Sequence, residues 1–67
     1  MELMVNGKMF EANQNISVIE LLGAKNVESP DMVSVELNGA ILGRDKFEQT
    51  KLSENDEVEF LYFMGGG

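Results

Sequence analysis

Two Asn-Gly dipeptides, Asn6-Gly7 and Asn38-Gly39, each stand between short stretches of alternating apolar and polar residues. Asn and Gly both accept positive φ, so the pair favours the type I′ turn, whose twist matches two antiparallel strands. The chain is thereby committed to two tight hairpins. At the first, Leu3 and Val5 alternate with Glu2, Met4 and Asn6, and Met9 to Asn13 return as the second strand. With Asn6 and Gly7 at the centre of the turn, Val5 faces Lys8 and Leu3 faces Phe10. Leu3, Val5, Phe10 and Ala12 then share one face, and Met4 and Met9 lie on the other. At the second, Val33, Val35 and Leu37 alternate with Ser34 and Glu36, and Ala40 to Leu42 form a short partner strand.

A helix start lies between the hairpins. Ser17 and Glu20 have the S-x-x-E spacing of a capping box, in which each side chain satisfies a free backbone N–H near the other. Ile16 before the cap and Leu21 at the fourth helical position can close as a hydrophobic staple. Val18, Leu21 and Leu22 share one helix face. The helix ends at Gly23 or runs on to about Lys25, and Asn26 to Asp31, with Pro30, form a connecting loop. After the second hairpin the chain is polar, with Phe47 and Leu52 as isolated anchors to the core. Glu54-Asn55-Asp56 reads as a turn, with Asn55 left-handed. The last strand begins at Asp56. Its one face, Val58, Phe60 and Tyr62, joins the core.

The end of the chain is unusual. Phe60-Leu61-Tyr62-Phe63-Met64 runs without a break into Gly65-Gly66-Gly67. Glycines pack nothing and lose the most entropy on ordering, so the strand should end near Met64 and leave residues 65–67 as a flexible tail on a single domain, 1–64. Such a tail fits a channel too narrow for any other residue, and at its tip is the α-carboxylate of Gly67. Leu61 and Phe63 on the final strand fall on the sheet face away from the lone helix. With Met4 they are expected to form an exposed apolar patch, the mark of a partner surface.

Composition excludes several classes of function. There is no Cys and no His, so the usual nucleophile–base pairs and the commonest metal ligands are missing, no metal site is expected, and the chain has no catalytic residues of its own. The lack of Cys fits a reducing cytoplasm. Twelve acidic residues against five basic give a net charge of −7, which repels nucleic acid and favours a partner with a basic face. No apolar run is long enough to span a membrane.

Taken together, these residues resemble the ThiS family of sulfur carriers of thiamine biosynthesis. The likeness covers nearly the whole chain. It rests on the opening strand with Asn6-Gly7, on Ile16-Ser17-Val18-Ile19-Glu20-Leu21-Leu22, and on Val35-Glu36-Leu37-Asn38-Gly39. Arg44, Phe47, Leu52, Asp56-Glu57-Val58 and the closing Gly66-Gly67 follow in order. Gly43, Phe47 and Asn55 stand where the family often has Pro, Trp and Gly, and Gly65 adds a third glycine. The resemblance implies an α+β, β-grasp (ubiquitin-like) fold, a mixed sheet of four to five strands with one main helix on one face. It also implies a chemistry. A free carboxylate is ionised at neutral pH and is a poor electrophile. A ThiF-like, E1-like enzyme would adenylate Gly67 with ATP, and a sulfur donor such as a cysteine desulfurase would convert it to a thiocarboxylate. A ThiG-like thiazole synthase would then receive the sulfur. ATP and zinc belong to these partners, and no cofactor is tightly bound. Gly66 and Gly67 would be the sulfur-carrying terminus, and Met4, Leu61, Phe63 and Gly65 the partner-binding residues. The small subunit of molybdopterin synthase, another sulfur carrier, a ubiquitin-like modifier and a plain interaction domain are the alternatives.

Overall fold

The computed structural model describes residues 1–27 and 29–62. Both Asn-Gly turns are type I′ in character, with φ of 52° and 80° at Asn6 and Gly7 and of 52° and 88° at Asn38 and Gly39. They join β1 (Glu2–Val5) to β2 (Lys8–Glu11) and β3 (Val33–Leu37) to β4 (Ala40–Leu42). The register is the one the turns dictate, with Val5 opposite Lys8 and Leu3 opposite Phe10. The last strand, β5 (Glu57–Tyr62), lies between the hairpins, parallel to β1 and antiparallel to β3. The sheet is therefore mixed and five-stranded, in the order β2-β1-β5-β3-β4.

The one α-helix among the described residues, α1 (Val18–Ala24), starts at the expected capping box. Glu20 N–H donates to Ser17 Oγ at 3.2 Å, and Ser17 N–H donates to Glu20 Oε1 at 2.8 Å. The helix stops by a device the sequence reading missed. Asn26, not Gly23, takes the left-handed conformation, with φ 62°. Val27 N–H reaches the Leu22 carbonyl at 2.9 Å, and Asn26 N–H reaches that of Gly23 at 3.1 Å. These two bonds make a Schellman motif, and buried Val27 and Leu22 are its apolar pair. The segment read as loop also contains a 3-10 turn, Pro30–Met32.

The core lies between helix and sheet. Leu3, Val5, Val33, Val35, Val58 and Phe60 from the strands meet Val18, Leu21 and Leu22 from the helix, and Ile16, Phe47 and Leu52 close its ends. Phe10 is half-buried on the edge strand, with the Lys25 ammonium 4.9 Å from its ring centre. Tyr62 departs from expectation. It was assigned to the core, yet it is 57% exposed. It pairs with Val33, the first residue of β3, at the very end of the sheet, where the neighbouring Pro30–Met32 turn contributes no buried residue. The phenol hydroxyl also gains from reaching water.

Candidate functional site

The sheet face opposite the helix is open, and strand alternation decides what it shows. From β2 and β1 come Met9, Met4 and the carboxylates of Glu11 and Glu2. β5 gives Glu57, Glu59 and Leu61, β3 gives Ser34 and Glu36, and β4 gives Ile41. Met4 and Leu61 are thus on the predicted face. They do not form one patch, which corrects the expectation from sequence. Met4 pairs with Met9 and stands beside Glu57, whereas Leu61 pairs with Ser34. Four residues of strand, roughly 13 Å, separate their rows, and Glu59 stands between. The result is two apolar corners flanking an acidic band. In that band Glu36 and Glu59 are direct cross-strand partners, a pairing of like charges that costs stability in the isolated sheet.

The second apolar corner, around the end of β5, is the richer one. Leu61 is 44% exposed, Ile41 65% and Met32 43%, while Tyr62, also exposed, follows the alternation onto the helix side. A small hollow beside them is lined by Val33, Ser34, Ile41, Leu42, Gly43, Arg44 and Phe47. Arg44 Nη2 donates to the Val33 carbonyl at 3.0 Å and so ties this turn to the start of β3. The sequence reading missed Ile41 and Tyr62 as surface residues. An apolar residue at the outward position of a three-residue edge strand was the available signal for Ile41. Phe63, Gly65, Gly66 and Gly67, and the boundary near Met64, lie outside the described residues.

β5 pairs with β3 from Val58 to Tyr62 and with β1 at Glu57 and Val58, and the two turn asparagines add side-chain bonds to it. Phe60 N–H donates to Asn6 Oδ1 at 2.8 Å, and Glu57 N–H donates to Asn38 Oδ1 at 2.8 Å. Asn38 Nδ2 in turn donates to Asp56 Oδ1 at 3.1 Å. The strand that leads to the tail is thus fixed at both hairpins.

A larger hollow lies on the helix side, lined by Asn13, Gln14, Asn15, Ile16, Glu20, Ala24 and Lys51. Glu20 is committed to its cap. The Ser17 backbone N–H, and then the Ser17 hydroxyl, hold its carboxyl below the ordinary value. Among the described residues no buried side-chain polar atom lacks a partner, and no group of three or more acidic side chains is gathered as a metal site would require. No helix among them is long and apolar enough to cross a membrane.

The ThiS family model matches residues 3–67, from the first strand through the last glycine. The chain belongs to the ThiS family. The sulfur carrier protein ThiS of Bacillus subtilis is 31% identical over 97% of this chain and 98% of its own length. The crystal structure of the thiamine biosynthesis protein ThiS from Geobacter metallireducens superposes with a TM-score of 0.87 at 48% identity, covering all of both chains. The chain is also 33% identical, over its full length, to part of the thiazole synthase of Paramagnetospirillum magneticum, of which it spans only 20%. Fold and topology agree with the β-grasp arrangement expected from the sequence.

Proposed function

We propose that this ThiS-family sulfur carrier holds its sulfur at Gly67, as a C-terminal thiocarboxylate destined for the thiazole of thiamine. The family match that runs to the final residue carries this reading. A chain without Cys has no thiol to hold sulfur, which leaves the terminal carboxylate as the carrier group. The carboxylate oxygen attacks the α-phosphorus of ATP in a ThiF-like enzyme and pyrophosphate leaves. The outer sulfur of a persulfide on the donor then attacks the acyl carbon, and AMP leaves. A thiol attacks the inner sulfur of the resulting acyl disulfide, so that the S–S bond breaks, the thiocarboxylate is released and a disulfide remains on the donor side. The carrier contributes reach, a slim tail and a docking face, and catalysis belongs to the partners. The setting is the cytoplasm.

A thiazole synthase is the proposed acceptor enzyme. Support comes from the thiazole synthases that contain a segment similar to this chain, since a carrier built into the same polypeptide is delivered to that enzyme. The test uses the adenylating enzyme encoded in the same genome, ATP and a sulfur donor such as a cysteine desulfurase with its substrate. Intact mass should show one oxygen exchanged for sulfur, and fragmentation should place the exchange on Gly67. Sulfur elsewhere in the chain would refute the assignment.

A further inference from the structure

β5 is longer than the strand beside it. β1 pairs with β5 only at Met4 with Glu57 and Val5 with Val58, and then leaves the sheet at the Asn6-Gly7 turn. On its other side β5 stays paired with β3 as far as Tyr62. Alternation fixes which backbone groups are left over. Met4 N–H donates to the Asp56 carbonyl and Asn6 N–H to the Val58 carbonyl, each at 2.9 Å. The even-numbered residues of β5 therefore turn their N–H and C=O toward β1. Asn6 Oδ1 takes the next donor on that side, Phe60 N–H. Beyond it, the Phe60 carbonyl and the Tyr62 N–H point along the line β1 has vacated, and neither has a partner there among the described residues. An open strand edge is a template for another chain unless charge or proline blunts it. Phe60-Leu61-Tyr62 has neither.

We propose that this edge accepts an added strand: an extended segment of the adenylating enzyme, laid along Phe60–Tyr62 in the place β1 vacates. The proposal deepens the sulfur-carrier reading and rests on it. Reach names the occupant. Gly67 is five residues beyond Tyr62, at most ~18 Å of extended chain. An enzyme that closes on Gly67 is therefore within reach of this edge. Charge refines the choice. Glu57 and Glu59 are exposed beside the edge, on a chain of net charge −7. The incoming segment carries Lys or Arg on the outer face and apolar residues toward the Phe60 and Tyr62 side. Added strands draw affinity from main-chain bonds and specificity from alternate side chains. With one donor and one acceptor on offer, this one chiefly sets the direction in which the tail enters.

The test follows the Tyr62 amide by hydrogen exchange in the full chain, free and bound to the adenylating enzyme encoded in the same genome. Free, the amide should exchange fast, and in the complex at least about tenfold more slowly. Tyr62→Pro removes the donor but no bond to β3, and Tyr62→Ala removes only the side chain. Tyr62→Pro should bind about tenfold more weakly than Tyr62→Ala, as expected when an interface acceptor loses its donor. Equal affinities, or an amide as fast in the complex as in the free chain, overturn the proposal. Should Tyr62→Pro fail to fold, exchange on the unmodified chain decides alone. Thiocarboxylate formation on the unmodified chain keeps the two readings apart. If it appears while the Tyr62 amide stays unprotected, only the added strand is wrong. If it never appears, the carrier reading falls and takes the named occupant with it.

Discussion

Five of the chain's six asparagines, Asn6, Asn15, Asn26, Asn38 and Asn55, hold a positive φ. Asn tolerates the left-handed region because its short amide can bond locally. In Asn6 the same residue does a second task, since its Oδ1 holds the Phe60 N–H of the strand leading to the tail. The two tasks separate by mutation. Asn6→Gly keeps the turn but leaves a half-buried N–H unpaired, a loss of about 1–3 kcal/mol. Asn6→Ala loses the bond and keeps a Cβ in the left-handed region without the amide that lets Asn tolerate it, which costs about 1–2 kcal/mol more than Gly there. Thermal unfolding followed by circular dichroism should therefore rank wild type above Asn6→Gly above Asn6→Ala, with steps of at least about 4 °C. Equal midpoints for wild type and Asn6→Gly would mean the Oδ1 bond contributes nothing. The turn was legible in the sequence because it is local. The bond was not, because it joins residues 54 positions apart and depends on which strand lies beside β1.

At the scale of elements, α1 shows the same division. Its start was readable because a capping box is a four-residue pattern. For its end the sequence offers two positions, Gly23 or about Lys25, and the structure takes the second. α1 runs to Ala24 with Lys25 as C-cap, Asn26 has the left-handed role that glycine usually fills, and Gly23 remains helical. Gly23 therefore costs backbone entropy with no return. A Cβ at this position would meet nothing within 4 Å, and its φ is not positive. Gly23→Ala should stabilise the protein by about 0.5–1 kcal/mol, seen as a higher denaturant midpoint at unchanged slope. A lower midpoint would show that Gly23 has a conformational role. The cap also makes a pH prediction. The Ser17 backbone N–H, then its hydroxyl, lower the Glu20 carboxyl below its unfolded value. A depressed folded value means that the stabilisation is full above the unfolded pKa and is lost as pH falls through the folded one. Wild type should therefore exceed Glu20→Gln in stability at neutral pH, and the gap should close on acidification below about pH 4. A gap that stays constant down to the acid limit would remove the carboxylate charge from the account of the cap.

For the whole molecule, the sheet was legible as pairs but not as an order. Two hairpins and a final strand follow from local pattern. The insertion of β5 between β1 and β3 is a long-range choice that no local pattern specifies, and the structure shows it. The same choice decided the candidate site. It put Leu61 and Met4 on one face, as alternation required, but set them at opposite corners with Glu59 between, a spacing the register alone reveals. Tyr62 followed the alternation yet lies past the end of the core. Every buried apolar residue among those described falls between Leu3 and Phe60. The last two glycines have no side chain to add to this core, and ordering them would cost roughly 1–2 kcal/mol each. Deleting Gly66 and Gly67 should therefore leave the unfolding midpoint within about 2 °C of wild type, while the thiocarboxylate signal disappears. Both measurements belong on the same variant. A deletion that melts the domain would make the tail a structural element, and a deletion that still gains sulfur would move the carrier group away from Gly67.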